Sequence, residues 1–429
     1  MKHLLYVLFL IAFSSTIIAQ PKSGVGKKQD KPEVAPVKPA AYRTEVYLPL
    51  LEGKRVGIFA NHTATIGKKH LVDSLFTLGV KISKVFGPEH GFRGDADAGE
   101  KVDTYIDPQL GIPVISLYGK KRKPSAEDLA DVDVLLFDIQ DVGTRFYTYI
   151  SSLQEFMDAA FEHGKPLLIL DRPNPNGFYV DGPILDTAYK SFVGMQPIPI
   201  VYGMTMGEYA MMLAGEKWLS PKANERNDYY RRANTSRDTL FHFMVIKNEA
   251  YDHKSKYTLP VKPSPNLPDM ASIYWYASTC FFEGTVLSEG RGTEHPFVIF
   301  GHPYLPKNMY AFTPISRDGA KEPKLKDKQC YGWNLFGSNE QVLKSVDNKI
   351  QLKYILEAYK LFPDKENFFI KPKSDRPTDF FFNKLAGSDA LMNQIKAGKT
   401  EKEIRDSWAP GLEAFKKIRK KYLLYTDFE

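Results

Sequence analysis

Short apolar runs alternate with helical segments from residue 55 to residue 246, and this rhythm constrains the fold more than any other feature. Runs at residues 55–60, 81–86, 132–137 and 166–170 have the length and composition of buried strands. Helical patterns at residues 69–78 and 149–163 are each followed by a glycine. The alternation predicts β-α-β units, and therefore an α/β fold with a Rossmann-like, mostly parallel sheet covered by helices.

Further elements fit the same rhythm. Residues 112–117, 198–201 and 241–246 are additional strand candidates. Thr205 and Glu208 have the spacing of a capping box, which predicts another helix start. Ser125, followed by acidic residues, predicts a start of the same kind.

Polar side chains follow four of the predicted strands. Asn61, Glu89, Asp138 and Asp171 each come just after an apolar run. The carboxyl ends of parallel strands lie on one edge of a sheet, and open α/β sheets bind ligands there. We therefore expect these four side chains to converge on a ligand site although they are far apart in the sequence.

A second region is predicted after the proline-rich segment at residues 262–268, which is too rich in proline for a helix or strand interior. Helices are predicted at residues 269–278, 351–361 and 411–422, with short strands among them. We expect a Rossmann-like domain at residues 43–255, a smaller C-terminal α/β (α+β) domain at residues 256–429, and a cleft between them.

The N-terminus has the pattern of a secretory signal. Lys2 and His3 precede an apolar run, and Ala19 offers a cleavage point, so residues 1–19 are predicted to be removed. An uncleaved anchor is the alternative, although the run is short for a membrane span. Residues 20–42 are rich in proline, lysine and glycine and are predicted to be a disordered tether. The mature protein is expected without a membrane span, in a bacterial periplasm or on the cell surface.

Composition argues against several other classes. The net charge of +7 over 429 residues is modest, so no nucleic-acid partner is expected. Nucleotide-binding glycine motifs, a G-x-S-x-G elbow and an H-E-x-x-H motif are all absent from the sequence, and no cofactor or metal is expected. Cys280 and Cys330 can be one disulfide or two buried thiols, and the sequence leaves both open.

The segment at residues 86–95 carries the strongest chemical signal. Pro88 and Gly91 restrict and turn the backbone around Glu89, and His90 and Arg93 add polar groups. A carboxyl held at a strand end and partly shielded from water has a raised pKa, which suits a general acid. The alternative is a surface turn with a solvated glutamate.

Three further clusters carry polar groups. Residues 138–149 combine carboxylates with Gln140, Arg145 and Tyr147, a set that suits sugar faces and hydroxyls. Residues 171–176 begin with Asp171 and Arg172, which can instead be a structural pair. Residues 283–294 hold arginine and glutamate among glycines, and arginine binds carboxylates bidentately.

Taken together, segments of the chain resemble the bacterial exo-β-N-acetylmuramidase family, long catalogued as a domain of unknown function. The resemblance implies release of N-acetylmuramic acid from the non-reducing end of peptidoglycan fragments. It also implies a Rossmann-like catalytic domain, a smaller C-terminal domain, a cleft between them, and Glu89 as the catalytic residue. Tyr202 departs from the pattern, in which many relatives have histidine. The resembling segments are residues 87–91, 116–119, 138–149, 170–175, 203–205, 263–266 and 289–293.

Glycoside hydrolysis usually requires two carboxyl groups, whose separation decides between retention and inversion. Glu89 is the expected acid; Asp138 is the first candidate for its partner, Asp95 and Glu289 are others, and substrate assistance also stays open. Arg291 or Arg93 is expected to bind the lactyl carboxylate. A periplasmic receptor for cell-wall fragments and a cell-wall amidase or esterase are the competing interpretations. The residues expected to contact the substrate are Asn61, His90, Arg93, Gln140, Arg145, Tyr147, Asp171, Tyr202, Glu289 and Arg291.

Overall fold

The computed structural model describes residues 35–88, 91–94, 103–233, 242–374 and 376–429. Within these ranges the strands are β1 (Arg55–Ala60), β2 (Thr65–Ile66), β3 (Lys69–His70), β4 (Lys81–Gly87), β5 (Tyr105–Ile106), β6 (Pro113–Ser116), β7 (Val134–Asp138), β8 (Leu167–Leu170), β9 (Phe243–Ile246), β10 (Ile299–His302), β11 (Tyr310–Phe312) and β12 (Cys330–Asn334). The helices are α1 (Thr44–Leu51), α2 (Leu71–Thr77), α3 (Ala126–Leu129), α4 (Tyr149–Glu162), α5 (Met206–Gly215), α6 (Pro221–Ala233), α7 (Met270–Thr279), α8 (Asn339–Val346), α9 (Lys353–Leu361), α10 (Phe381–Ala386), α11 (Ala390–Lys396) and α12 (Glu401–Arg419).

The main sheet has seven strands in the order β5-β6-β4-β1-β7-β8-β9. Neighbouring strands are parallel except β5 and β6, which are antiparallel. The chain moves outward from β1 to β4 and β6 on one side, and from β7 to β8 and β9 on the other. The strand order therefore reverses between β1 and β7, the point at which open α/β sheets bind ligands. The predicted Rossmann-like sheet is confirmed.

An apolar core lies on each face of this sheet. Successive side chains along a strand point to opposite faces, so each strand contributes to both cores. From β1, Val56 and Ile58 join a cluster that includes residues of α1 and α2. Phe59 points to the opposite face, where its ring lies 4.9 Å from that of Phe137 and 5.0 Å from that of Phe156 in α4. The continuous apolar runs read from the sequence are thus strands buried on both sides.

The C-terminal part has its own small antiparallel sheet, in the order β10-β12-β11, surrounded by helices. Its apolar core includes α7 to α12. The last residues return to the main sheet, where Tyr425 donates a hydrogen bond to Asp171 at 2.7 Å and Leu424 N donates to Glu208 at 2.8 Å. A smaller C-terminal domain is therefore present, while the boundary between residues 255 and 256 stays a prediction.

Two predicted elements differ from the structure. Residues 198–201 are not a strand, because Val201 makes only isolated bridges with Thr144 and Asp181. The helix predicted at residues 411–422 is α12, which begins at Glu401 and continues through Pro410. Thr400 caps it in a capping box, so the helix starts ten residues before the predicted start at residue 411.

The N-terminal residues of the described chain belong to the fold. Ala40 and Ala41 are fully buried, and Lys38 N donates a hydrogen bond to the carbonyl of Glu249 at 3.0 Å. The predicted tether at residues 20–42 therefore ends before Lys38, whereas residues 1–34 lie outside the described chain. No helix within the described ranges is long and apolar enough to cross a membrane.

The two cysteines are separate thiols. Cys280, which follows α7, and Cys330, at the start of β12, are both buried and unbonded to each other. Burial raises the pKa of the Cys330 thiol to about 12 and that of Cys280 well above its usual range. Of the two possibilities left open by the sequence, the structure contains the buried thiols.

Candidate active site

Hydrogen bonds join the carboxyl ends of the central strands β1 and β7. Asn61 is fully buried after β1, and its Nδ2 donates to the hydroxyl of Tyr149 at 2.8 Å. Its Oδ1 accepts from Thr63, whose Oγ1 in turn accepts from the backbone N–H of Gln140 at 3.0 Å. This network fixes polar side chains at the point where the strand order reverses.

Gln140 is held by its amide nitrogen. Its Nε2 donates to the carbonyls of Asp141 and Pro173, each at 2.8 Å. Its Oε1 is buried and accepts no hydrogen bond from any residue that the structure describes. The Gln140 side chain therefore links backbone segments at the strand ends, and its Oε1 is left as an acceptor at the same place.

A cavity of about 160 Å³ adjoins this network, and its walls come from both parts of the chain. Tyr149, which accepts the hydrogen bond of Asn61, is one wall, and its ring centroid lies 4.9 Å from that of Tyr147. From the C-terminal part of the chain come Tyr276 and Phe297, whose ring centroids lie 4.8 Å apart. The cavity is lined by Phe146, Tyr147, Thr148, Tyr149, Val193, Ser264, Asn266, Leu267, Tyr276, Glu283, Arg291 and Phe297.

Charged groups are concentrated in one part of the cavity wall. Arg291 donates from Nη2 to Glu283 at 2.6 Å, and its Nε lies 3.3 Å from Oε1 of Glu289. Lys324 approaches the other oxygen of Glu289 at 2.8 Å. Burial acts to raise the pKa of Glu289, but Lys324 and Arg291 outweigh it and hold that pKa below its ordinary value. Glu283 and Arg291 line the cavity, whereas Glu289 lies behind them and is 3% exposed.

Asp138 forms a buried ion pair with Arg172 at the ends of β7 and β8. The guanidinium contacts both carboxylate oxygens, at 2.5 and 2.8 Å, and also donates to the carbonyl of Thr65. The alternative that paired Arg172 with Asp171 is therefore wrong. Asp171 instead accepts from Gly207 N at 2.8 Å and from the hydroxyl of Tyr425. Burial raises the pKa of Asp171 to about 7.

Two of the predicted arginines are engaged away from the cavity walls. Arg93 forms hydrogen bonds with both oxygens of Asp73 and both oxygens of Asp107. Arg145 is fully buried and donates to three backbone carbonyls, one of which belongs to Leu385 in α10. Both side chains hold segments of the fold together, which favours Arg291 as the arginine that meets a ligand.

Tyr202 belongs to a buried pair with Asp141. Its hydroxyl donates to Oδ2 of Asp141 at 2.6 Å, and the same oxygen accepts from Gly143 N at 2.7 Å. Burial raises the pKa of Asp141 to about 7, although these two hydrogen bonds act to lower it. Gly143 has a φ of 80°, and a Cβ there would collide with the side chain of Asn174. The turn thus requires glycine and presents the Asp141 carboxyl to Tyr202.

Glu89 and His90 lie outside the described residues, as does Asp95, whereas the residues that flank Glu89 and His90 are described. Gly91 N donates to the carbonyl of Pro88 at 3.0 Å, and a Cβ on Gly87 would lie 3.2 Å from the backbone nitrogen of Phe92. A Cβ on Gly94 would collide with the imidazole of His62, the residue after Asn61. The described flanks of the loop therefore lie against the end of β4 and beside the end of β1.

Several cavity residues were not predicted. Glu283 had a signal, because it opens the glycine-rich run that also contains Arg291. Tyr276 lies within α7 and Phe297 within an apolar run, where aromatic residues are ordinary core residues, so the sequence offered no means of selecting them. In the part of the chain that the structure describes, no group of three or more His, Cys, Asp or Glu side chains could hold a metal ion.

The fold and the cavity define a class of protein. An α/β sheet with polar groups at its switch point, beside a pocket of aromatic rings with one carboxylate–arginine pair, suits a protein that takes a small polar ring such as a sugar. Residues 56–271 match the family described as exo-β-N-acetylmuramidase NamZ, N-terminal, and residues 274–425 match its C-terminal counterpart. The chain therefore belongs to the exo-β-N-acetylmuramidase NamZ family, which confirms the resemblance seen in the sequence.

Individual relatives agree with this assignment. The chain is 37% identical over 394 residues to the peptidoglycan β-N-acetylmuramidase NamZ of Bacillus subtilis (strain 168), covering 88% of this chain and 89% of the relative. A DUF1343 family protein of Bacteroides fragilis has a solved structure with 44% identity and a TM-score of 0.79, covering 92% of this chain and 100% of the other. A second such protein from that organism has 29% identity and a TM-score of 0.72, with coverage of 91% and 99%.

Proposed function

We propose that this protein is an exo-acting glycoside hydrolase that releases N-acetylmuramic acid from the non-reducing end of peptidoglycan fragments. The observation that carries the proposal is the match of both family halves, in order, over residues 56–271 and 274–425. The cavity adds chemical support, because residues from both halves wall it with aromatic rings and an arginine–glutamate pair.

Glu89 is proposed as the general acid or base. Its loop follows β4, which pairs with β1, and the described flanks of the loop lie against β4 and beside Asn61 and His62. Asn61 in turn donates to Tyr149 on the cavity wall. These contacts of the flanking residues support the proposal that the Glu89 carboxyl serves a sugar bound at the switch point.

The contacts of the candidate residues limit the choice of a second carboxyl group. Asp138 is committed to Arg172 through both oxygens, and Glu289 is enclosed behind Lys324 and Arg291. Glu283 is the carboxylate found among the described residues of the cavity wall. We assign Glu283 to contact with the sugar, and Asp138 to maintenance of the strand ends.

Arg291 is proposed to recognise the lactyl carboxylate that distinguishes N-acetylmuramic acid from N-acetylglucosamine. Its side chain lines the cavity and is a quarter exposed, whereas the guanidinium of Arg93 is occupied by two aspartates. A planar guanidinium can accept a second carboxylate while it keeps Glu283 as a neighbour. The Glu283 contact would hold the guanidinium in place before the substrate arrives.

We further propose that the protein is exported and acts in the periplasm or at the cell surface, from the signal pattern at residues 1–19. N-terminal sequencing of protein recovered from a periplasmic fraction should begin at Gln20. Recovery of the chain with Met1 intact from the cytoplasm would contradict export.

The reaction itself is tested by product analysis. Peptide-free glycan strands, labelled at the reducing end, are incubated with the purified protein and separated by mass. Exo-action predicts free N-acetylmuramic acid as the first product, together with labelled strands shorter by one residue. Internal cleavage products would contradict exo-action, whereas tight strand binding without cleavage would favour the receptor. Release of peptides from intact muropeptides would favour an amidase.

A further inference from the structure

Exposed apolar side chains form a strip on the C-terminal part of the chain. Phe336 is 47% exposed, Tyr310 38% and Ile315 47%. The ring of Phe336 contacts that of His295 at 4.7 Å between centroids and that of Tyr310 at 5.6 Å. Single exposed apolar residues are ordinary, but a contiguous group of rings requires an explanation. We call the contacting rings of His295, Tyr310 and Phe336, together with Ile315, which is exposed five residues after Tyr310, the aromatic strip.

The strip begins at the wall of the cavity. His295 lies two residues before Phe297, which lines the cavity, and two residues of chain span at most about 7 Å. Ile315 N donates to the carbonyl of Gly292 at 2.9 Å, and Gly292 follows Arg291, another cavity residue. Two separate connections therefore place the strip next to the cavity.

The charged groups beside the strip are largely paired. Arg317 lies 3.4 Å from Glu294, Lys324 lies 2.8 Å from Glu289, and Lys326 lies 2.8 Å from Glu322. Residues 317–328 contain five lysines and arginines and three carboxylates. This segment folds back on the chain before the strip, because Asp327 N donates to the carbonyl of Pro314 at 2.8 Å. An occupant of the strip would therefore meet paired polar groups as well as aromatic rings, which suits a sugar ring with apolar faces and polar edges.

We propose that the aromatic strip binds the second and following sugar rings of a glycan strand whose terminal residue occupies the cavity; this rests on the proposed function. Ring faces of Phe336 and Tyr310 pack against the apolar faces of the sugars, and the polar tips of Tyr310 and His295 meet their hydroxyl and acetamido groups. The protein thereby prefers long strands to disaccharides.

The test compares a long and a short substrate. Phe336→Ala, Tyr310→Ala and the double variant are assayed on peptide-free strands of eight sugars and on a chromogenic N-acetylmuramic acid glycoside. Phe76→Ala is the matched control, because Phe76 is 48% exposed on α2. Each aromatic contact is expected to contribute about two- to tenfold, so the double variant should lose at least about fourfold in kcat/KM on strands. It should stay within about twofold of wild type on the chromogenic substrate.

The outcomes separate this inference from the function on which it rests. Equal losses of kcat/KM on both substrates, or unchanged cleavage of strands, would overturn the proposal that the aromatic strip binds the strand. If the wild-type protein cleaves neither substrate, the proposed function fails, and calorimetry with the eight-sugar strand then decides the strip alone. Weaker strand binding by the double variant than by Phe76→Ala would support strand binding at the aromatic strip, and equal binding would overturn it. Thermal unfolding of each variant checks that the fold is intact.

Discussion

Asp138 and Arg172 form a two-point ion pair that is almost completely removed from water, with side-chain exposures of 0% and 2%. They follow neighbouring parallel strands, β7 and β8, and Arg172 also donates to the carbonyl of Thr65 at 3.1 Å. The pair therefore ties the ends of two strands to the turn after β1, directly beside the proposed active site.

Arg172→Met is predicted to destabilise the protein strongly. Removing one partner leaves the carboxylate of Asp138 buried without a counter-ion, which costs about 3–5 kcal/mol. Arg55→Met is the control, because Arg55 pairs with Asp133 at the surface with exposures of 51% and 39%, and such exposed pairs contribute little to stability. Urea unfolding measures both, and equal losses would show that the buried pair has no special role.

Arg291→Lys is predicted to change substrate selectivity. Lysine keeps the charge but loses the bidentate geometry, so kcat/KM on a N-acetylmuramic acid glycoside should fall about 10- to 100-fold. On the corresponding N-acetylglucosamine glycoside the fall should be at most about threefold, because that sugar lacks the lactyl carboxylate. Arg93→Lys should leave the ratio of the two values unchanged. Equal losses on both glycosides would remove Arg291 from lactyl recognition.

Asp141 is predicted to make stability depend on pH. Burial raises its folded pKa to about 7 from an ordinary value of 3.8. Between these values the unfolded carboxyl is ionised while the folded one keeps its proton. The folded state therefore binds more protons, and its stability falls as the pH rises. Relative to Asp141→Asn, the wild type should lose up to about 1.4 kcal/mol per pH unit in this window.

Urea unfolding of both proteins at pH 4.5, 6 and 8 measures this difference. Asp133→Asn serves as the control, because hydrogen bonds from Arg55 lower the pKa of the exposed Asp133 to about 2. The stability that the ionised Asp133 carboxylate contributes is therefore present above pH 4 and constant from pH 5 to pH 8. A constant difference between wild type and Asp141→Asn over the whole range would contradict a raised pKa.

Cys280 and Cys330 are predicted to be unreactive thiols in the folded protein. Both are buried, and burial raises their pKa values, so little thiolate forms near neutral pH. Without reductant, a thiol reagent should titrate two groups per chain in the denatured protein. In the folded protein it should titrate almost none. Dithiothreitol should leave the melting temperature unchanged. Failure to find thiols in denaturant would mean that a disulfide had formed.

The sequence predicted the main sheet well because its strands are buried on both faces. Each such strand is a continuous apolar run, and the predicted run at residues 55–60 coincides with β1. Because the carboxyl ends of parallel strands lie at one edge of a sheet, the sequence also predicted that Asn61 and Asp138 lie at the same edge. By contrast, the helix predicted at residues 411–422 began too late. Pro410 and Gly411 are unfavourable inside a helix, but packing of Trp408 and Phe415 in the apolar cores keeps α12 continuous through them.

The site was less predictable because its contacts join distant segments. Nothing near Arg172 in the sequence distinguishes Asp138 from Asp171 as its partner; the choice follows from the register of β7 and β8. Tyr276 and Glu283 reach the cavity because the C-terminal part packs against Tyr147 and Tyr149. The first pairing spans 34 residues and the contact between Tyr147 and Tyr276 spans 129, and periodicity and composition encode neither.

The most direct test of the account compares wild type with Glu89→Gln on a chromogenic N-acetylmuramic acid β-glycoside, with Glu52→Gln, an exposed position, as control. Loss of a general acid should lower kcat by about 10²- to 10⁴-fold, while the melting temperature stays within experimental error of wild type. Glu52→Gln should retain full activity. Release of the chromogen by Glu89→Gln at a rate within threefold of wild type would contradict the central role given to Glu89.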